Sequence, residues 1–137
     1  MIVSRILSFV KIRVAAAATL SALSALAASS GGFGTAGPLA LGVFLLACGA
    51  CGLNEWQERR TDGLMLRTQG RPIPSGAMAP SSALILAAGL LAAGAMALFM
   101  AGGGRATLLG LAAAAWYNGV YTPLKRVTAF AVVPGAL

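Results

Sequence analysis

The acidic residues of this chain are few and lie close together. Its 137 residues include three acids, Glu55, Glu58 and Asp62, within eight consecutive positions. In a helix over residues 54–62, each position turns about 100° around the axis, so Glu58 and Asp62 lie about 40° and 80° from Asn54. Glu55 follows at about 100°, and one helix face therefore presents three carboxylates and an amide.

Carboxylates stacked on one helix face repel one another, which favours a role other than stability. A divalent cation would remove this repulsion, because Mg²⁺ prefers oxygen ligands and typically takes one or two carboxylates together with substrate phosphates. Arg67 and Arg71 follow the acids, and arginine pairs well with phosphate oxygens. The pattern indicates a Mg²⁺–diphosphate site for a lipid substrate at a membrane interface. A solvated helix end with Glu–Arg pairs along the helix stays open as the alternative.

The composition is that of a membrane protein. Apolar residues make up 58% and charged residues 9% of the chain, whereas typical globular domains have roughly 45–50% and 25%. So few charges exclude an ordinary soluble domain, and so many apolar residues exclude a disordered chain. Nucleic-acid binding is not expected despite the net charge of +7, because the basic residues are not interleaved with aromatic ones.

Four apolar segments, separated by Gly- and Pro-rich breaks, predict an all-α membrane protein with about four transmembrane helices. Each segment has about 16–19 residues, which is near the lower limit for crossing a bilayer. The segments are residues 14–29, 38–53, 83–101 and 106–121. The second contains Cys48 and Cys51, which we interpret as packing residues because the chain has no His and no third Cys to join them in a metal site.

The basic residues predict which side of the membrane each connection faces. They are concentrated on the N-terminal flank, in the 54–80 connection and at the C-terminal end, whereas the 30–37 turn has none. The positive-inside rule therefore places the N-terminus and the 54–80 connection in the cytoplasm, and we expect a bacterial inner membrane. The residues are Arg5, Lys11, Arg13, Arg59, Arg60, Arg67, Arg71, Lys125 and Arg126, with Arg105 alone in the 101–105 turn. A cleaved signal peptide is less favoured, because three more apolar segments follow the first.

The segment 54–76 resembles the first aspartate-rich motif of the UbiA superfamily of intramembrane prenyltransferases. Its sequence is NEWQERRTDGLMLRTQGRPIPSG, and the family motif is N-x-x-x-D-x-x-x-D followed by R-T-x-x-R-P-x-P-S-G. Glu58 stands where most members have Asp. Within the superfamily the chain is most similar to the branch that farnesylates heme (the heme O synthases), through N-x-W-x-E-R-x-x-D, YTPLKRVT at 121–128 and VVPGAL at 132–137.

The resemblance implies a bundle of about nine transmembrane helices around a central cavity, of which this chain would form roughly the N-terminal half. It implies Mg²⁺-dependent transfer of a farnesyl group from farnesyl diphosphate to heme B, which gives heme O. The residues implied to bind Mg²⁺–diphosphate are Asn54, Glu58 and Asp62. The residues implied to neutralise the leaving diphosphate are Arg67, Arg71 and Lys125, with Tyr121 nearby.

The chain departs from the family pattern in one respect. Members have a second acidic motif in their later half, and this chain has no acid after Asp62. We therefore interpret residues 1–137 as the N-terminal part of a single prenyltransferase domain, a truncated sequence that would be inactive alone. Assembly of two copies is less favoured, and the oligomeric state is left open. Two alternatives also stay open: a UbiA-type enzyme with an aromatic acceptor, and a small four-helix membrane transporter or structural protein.

Overall fold

The computed structural model describes residue 7 and residues 9–29 and 33–128, and the regular elements of this part of the chain are helical. Helix α1 is Ile12–Ala28, α2 is Ala36–Asp62 and α3 is Pro80–Trp116. A 3₁₀ turn, Phe33–Thr35, precedes α2, and a π-helical segment, Tyr117–Tyr121, leads from α3 into the short α4, Thr122–Leu124. The predicted all-α class is thus confirmed. The motif at 132–137 lies outside the described residues.

Helix α2 continues without a break from the second apolar segment into the acidic motif. Its 27 residues exceed the predicted span of 38–53, because the polar positions after Leu53 extend the same helix. Cys48 and Cys51 are buried free thiols in α2, which agrees with their interpretation as packing residues. A loop of successive turns, residues 63–79, follows and ends at Pro80, whose fixed φ suits the first position of α3.

Helix α3 is interrupted at Gly102 and Gly103, whose backbone angles are not helical. Gly103 has a φ of 64°, a left-handed conformation that glycine adopts without strain. The side chain of Leu98, before the break, lies against Gly110 after it, although a straight helix would separate these residues by about 18 Å. The chain therefore folds back at the turn predicted there, and the two arms of α3 pack against each other.

Within residues 9–29 and 33–128, two stretches of helix are long and apolar enough to cross a membrane, Ala36–Asp62 and Pro80–Leu124. Helix α1 is shorter and also apolar. The 45 residues of the second stretch would extend about 67 Å as a straight helix, roughly twice the thickness of the hydrocarbon core of a bilayer. The fold-back at Gly103 shortens this stretch to dimensions that suit a bilayer.

Close contact between α2 and the first arm of α3 depends on glycines. A Cβ atom at Gly94 would lie 2.6 Å from the backbone N of Leu46 and 3.0 Å from the carbonyl O of Gly42. A Cβ atom at Gly49 would lie 2.8 Å from the backbone N of Leu91. Membrane helices typically approach each other through such small residues. These contacts hold the two helices backbone to backbone.

Replacing Gly94 with alanine should destabilise this helix crossing. The new methyl group would overlap the backbone of α2, which cannot move aside as a side chain can, and overpacking typically costs about 1–3 kcal/mol. We expect Gly94→Ala to lower the thermal unfolding midpoint of the detergent-solubilised chain, measured by circular dichroism. Gly89→Ala, which has open space around it on the same arm, is the control and should not lower the midpoint. Equal midpoints for the two variants would contradict the described crossing.

Candidate active site

The C-terminal end of α2 carries the acidic face predicted from the sequence. Asn54 and Glu55 are fully buried, and Glu58 and Asp62 are only 6% and 5% exposed. Polar side chains enclosed in this way need partners, because an unpaired buried charge is strongly unfavourable. Those partners come from three other segments of the chain.

The carboxylates of Glu58 and Asp62 are paired with cations that lie outside α2. Lys125 Nζ, just after α4, lies 2.8 Å from Glu58 Oε1 and 2.9 Å from Glu58 Oε2. Arg71 Nη1, in the loop after α2, lies 2.5 Å from Asp62 Oδ2 and 3.8 Å from Glu58 Oε2. These pairs join different segments rather than neighbours along one helix. The alternative of a solvated helix end therefore does not describe this face.

Asn54 is held at both ends of its amide group. Lys11 Nζ donates to Asn54 Oδ1 at 3.1 Å, and Asn54 Nδ2 donates to Thr122 Oγ1 at 2.8 Å. The Thr122 hydroxyl in turn donates to the carbonyl O of Tyr117 at 2.8 Å. The hydrogen bonds thus connect the start of α1, through α2, to the π-helical segment. This connection fixes the orientation of the Asn54 amide.

Lys11 brings a third cation to the acidic face. It precedes α1 in a left-handed backbone conformation, with a φ of 47°, which is uncommon for a residue other than glycine. Burial is the main cause that lowers the pKa of its ammonium group below the usual value, and the positive charge of Arg71 lowers it further. Lys11 donates to the Asn54 amide, whereas Arg71 and Lys125 pair with Asp62 and Glu58. With Glu55 included, three cations and three carboxylates gather at this end of α2.

The loop 63–79 is attached to α2 at two further points. Thr68 Oγ1 donates to the carbonyl O of Asp62 at 2.9 Å, and the backbone N–H of Ile73 donates to Glu55 Oε1 at 3.4 Å. Glu55 Oε2 is buried and has no hydrogen-bond partner in the described part of the chain. Because Ile73 is two residues from Arg71, the bond to Glu55 helps to position the Arg71 guanidinium.

Two predicted site residues lie at the edge of this arrangement. Tyr121 stacks on Tyr117 with ring centroids 5.4 Å apart, and Lys125 Nζ lies 5.4 Å from the Tyr121 ring centroid. The side chain of Arg67 is exposed, and no ion pair joins it to the carboxylates within the described ranges. Its contact with a diphosphate stays a prediction.

Three contributors to the site are absent from the set predicted from the sequence: Lys11, Thr122 and Thr68. In the sequence, Lys11 counts only as a charge that orients the chain in the membrane. Thr122 and Thr68 lie inside the motifs YTPLKRVT and R-T-x-x-R-P, and this position is the signal that could have identified them. Their hydrogen bonds depend on which segments pack together, which no local pattern specifies.

The oxygen atoms of the acidic face suit Mg²⁺. Two carboxylates and the amide oxygen of Asn54 are ligands that a hard cation prefers, and substrate phosphates commonly supply the rest. Among the described residues there is no group of three or more His, Cys, Asp or Glu that could hold a metal ion. The chain would therefore provide only part of the coordination shell.

An apolar cavity of about 500 Å³ adjoins the acidic face. Residues of α1, α2 and both arms of α3 line it, one side is open, and Cys51 and Tyr117 line the end nearest Asn54. From Cys51 the cavity follows α2 to Leu39, a distance of about 18 Å along the helix. A cavity with this length and lining suits an extended hydrocarbon chain.

Comparison with known proteins identifies the family. The UbiA prenyltransferase family matches residues 15–137. The chain belongs to this family. Membership confirms the resemblance inferred from the segment 54–76 and agrees with the long apolar helices of an integral membrane protein. It does not favour the alternative of a small transporter.

Similar UbiA-family relatives include three bacterial protoheme IX farnesyltransferases. The protein of Oleidesulfovibrio alaskensis is 42% identical over 108 residues, which cover 76% of this chain and 38% of the relative. The protein of Geobacter sulfurreducens is 46% identical over 96 residues, which cover 70% of this chain and 35% of the relative. The protein of Nitratidesulfovibrio vulgaris is 43% identical over 96 residues, which cover 70% of this chain and 33% of the relative. The chain thus spans about a third of the length of these relatives. No solved structure matches it.

Replacing Glu55 with alanine should loosen the loop 63–79. The change removes the acceptor of the Ile73 N–H, whereas Glu55→Gln keeps an oxygen at the same distance from the backbone. We expect Glu55→Ala to speed trypsin cleavage after Arg67 several-fold, followed by mass spectrometry, and Glu55→Gln to be cleaved at nearly the parent rate. Cleavage after Arg105, in the distant turn of α3, is the internal reference. Unchanged cleavage after Arg67 in Glu55→Ala would show that this bond does not hold the loop.

Proposed function

We propose that this chain forms the diphosphate-binding part of a protoheme IX farnesyltransferase, which transfers a farnesyl group from farnesyl diphosphate to heme B to give heme O. The observation that carries the proposal is the enclosed end of α2, where Arg71 and Lys125 pair with Glu58 and Asp62 and Lys11 donates to Asn54. Membership of the UbiA family and the names of the similar relatives support the same reaction.

The acidic face would receive the diphosphate together with Mg²⁺. Asn54, Glu58 and Asp62 would hold the ion, which when bound neutralises the diphosphate and eases its departure. Arg71 and Lys125 pair with the carboxylates in the structure and would also donate hydrogen bonds to phosphate oxygens. Cations and carboxylates would share one enclosed site because the carboxylates would hold the ion and the cations would hold the anion.

The side chains of this site would assist a departing anion rather than attack the substrate. The bond between C1 of the farnesyl group and the diphosphate oxygen breaks, and its electron pair leaves with the diphosphate. Arg71 and Lys125 would donate hydrogen bonds to that anion, with Arg67 and Tyr121 proposed to complete the contacts. The π electrons of a vinyl group of heme B would then form the bond to C1. Water would add to the resulting cation and lose a proton, which gives the hydroxyethylfarnesyl group.

The farnesyl chain would lie in the apolar cavity. Its volume of about 500 Å³ falls within the usual range of ligand pockets, roughly 300–1,000 Å³. Because the cavity begins at Cys51 and Tyr117, beside Asn54, the diphosphate end would meet the acidic face while the hydrocarbon extends towards Leu39. Polar and apolar parts of one substrate thus correspond to adjoining parts of the fold.

We further propose four spans, with the N-terminus and the 54–80 connection in the cytoplasm of a bacterial inner membrane. The fold-back at Gly102 and Gly103 supports this count, since it divides α3 into two arms. A cytoplasmic site would give access to a substrate with a charged diphosphate. The second acidic motif of the family is not among the three acids of this chain, so residues 1–137 would supply one part of the complete site.

Neutralising the carboxylates should weaken binding of farnesyl diphosphate in the presence of Mg²⁺. Glu58→Gln and Asp62→Asn keep the size of each side chain and remove its charge. We expect each variant to bind at least about ten-fold more weakly, which corresponds to about 1.4 kcal/mol, and to lose the dependence on Mg²⁺. Isothermal titration calorimetry on the detergent-solubilised chain, with Mg²⁺ or with EDTA, measures both effects.

The control for this experiment is Arg60→Gln, which changes an exposed charge on the same helix and should bind like the parent chain. Parent-like binding by Glu58→Gln and Asp62→Asn would refute the proposed site.

The acceptor needs a separate assay. In an enzyme that contains this chain, turnover with heme B but not with a hydroxybenzoate would distinguish the proposed acceptor from an aromatic one.

A further inference from the structure

A second, polar groove lies beside α2 and shares Thr122 with the hydrogen bonds of the acidic face. Its volume is about 440 Å³. Trp56, Gln57 and Arg59 line it from α2, and Asn118, Thr122 and Arg126 line it from the segment after α3. Trp56 lies about 160° around the helix from Glu58, so the groove opens away from the carboxylates. The proposed farnesyl transfer makes no use of its two arginines.

Two buried oxygen atoms of the groove residues lack hydrogen-bond donors. Asn118 is only 6% exposed. Its Oδ1 atom and the Oε1 atom of Gln57 have no hydrogen-bond partner in the described part of the chain. The nitrogen atoms of both amides are already used, since Gln57 Nε2 donates to the carbonyl O of Asn118 and Asn118 Nδ2 donates to that of Ala114. Buried acceptors are normally satisfied, and each of these oxygens would accept a hydrogen bond from a ligand once its amide group turns into the groove.

The two arginines give the groove a positive charge. Arg59 Nη1 donates to the carbonyl O of Trp56 at 2.6 Å, and its guanidinium lies 4.2 Å from the Trp56 ring centroid. Arg126 Nη2 donates to the carbonyl O of Gln57 at 3.0 Å. A guanidinium has five N–H donors, so both arginines retain donors for a ligand. The three acids of the chain all lie in its described part and none of them lines the groove, so an occupant with negative charge is favoured.

The groove lies at the depth of lipid headgroups. Helix α2 begins at Ala36, and about 20 helical residues cross the hydrocarbon core. The boundary between hydrocarbon and headgroups therefore falls close to Trp56. Tryptophan and arginine are typical of this boundary, where the ring contacts lipid and the cation meets phosphate.

We propose that this groove binds a glycerophosphoryl group, as presented by the headgroup of phosphatidylglycerol. The phosphodiester would pair with Arg59 and Arg126, and the glycerol hydroxyls would donate to the amide oxygens of Gln57 and Asn118. Phosphatidylcholine has the phosphodiester, but its headgroup has no hydroxyl or N–H donor for the amide oxygens and no net charge. Phosphatidylethanolamine has donors, but its ammonium group opposes the two arginines.

Tryptophan fluorescence offers a direct test. The chain has two tryptophans, Trp56 and Trp116, and a Trp116→Phe background leaves Trp56, in the groove, as the reporter. The detergent-solubilised chain is titrated with dihexanoyl phosphatidylglycerol, dihexanoyl phosphatidylcholine or sn-glycerol 3-phosphate. We expect phosphatidylglycerol to bind at least ten-fold more tightly than phosphatidylcholine. Equal affinity for the two lipids would overturn the proposal.

The glycerol 3-phosphate titration identifies the source of the ligand. Binding as tight as that of phosphatidylglycerol would assign the same chemistry to a soluble phosphoester. Binding at least ten-fold weaker would assign it to a membrane lipid, since the acyl chains then contribute from the bilayer side of the groove.

Variants locate the binding within the chain. Arg59→Gln combined with Arg126→Gln should reduce the affinity for phosphatidylglycerol to that for phosphatidylcholine, while Arg105→Gln, in the distant turn of α3, should leave it unchanged. Gln57→Leu removes one unpaired acceptor and should weaken the binding of phosphatidylglycerol without affecting the binding of phosphatidylcholine. The difference between the two lipids does not depend on the overall stability of the variant. Unchanged affinity in the double variant would refute the proposed groove. So would displacement of phosphatidylglycerol by pyrophosphate with Mg²⁺, because that result would place the lipid on the acidic face.

Discussion

Neutralisation of two enclosed carboxylates is the constraint on which this arrangement depends. Glu58 and Asp62 lie at the end of a largely apolar helix, where charges are costly unless they are paired. Their ion-pair partners come from outside α2: Arg71 from the loop and Lys125 from beyond α4. Lys11, from the start of α1, joins the same face through its hydrogen bond to Asn54. The same electrostatic requirement that would suit the proposed Mg²⁺–diphosphate therefore also draws three separate segments of the chain together. The proposed binding and the folding would share these residues, so each substitution among them would affect both.

Helix packing, rather than electrostatics, sets the distance between these segments. Glycines at positions 42, 49 and 94 let α2 and α3 approach closely, and the left-handed Gly103 returns the second arm of α3 to the bundle. That return brings Asn118, Thr122 and Lys125 to the same end of the bundle as the acidic motif. The apolar cavity lies between the same elements. The acidic face and the apolar cavity thus both result from the same close helix packing.

Much of this site could be predicted from the sequence, because its main elements are local. The turn of about 100° per residue places Asn54, Glu58 and Asp62 on one face of α2, and the structure has them there. Local spacing does not distinguish Arg67 from Arg71, although only the second pairs with the carboxylates in the structure. Nor does it bring Lys11 to Asn54, 43 positions away, since such a pairing depends on how helices pack. The glycine break in α3 was predictable from composition, whereas the contact of Leu98 with Gly110 was not.

The π-helical segment Tyr117–Tyr121 has a consequence for how this region could change in evolution. A π-helical turn accommodates one residue more than an α-helical turn and is typically found at functional sites. Loss of a single residue between Trp116 and Thr122 would restore α-helical winding without disturbing the apolar character of the helix. Because a π-helical turn takes up its extra residue within nearly the same rotation about the helix axis, this loss would leave Thr122 directed at Asn54 and Lys125 directed at Glu58. The length of this segment could therefore change by one residue in evolution without dismantling the contacts that follow it.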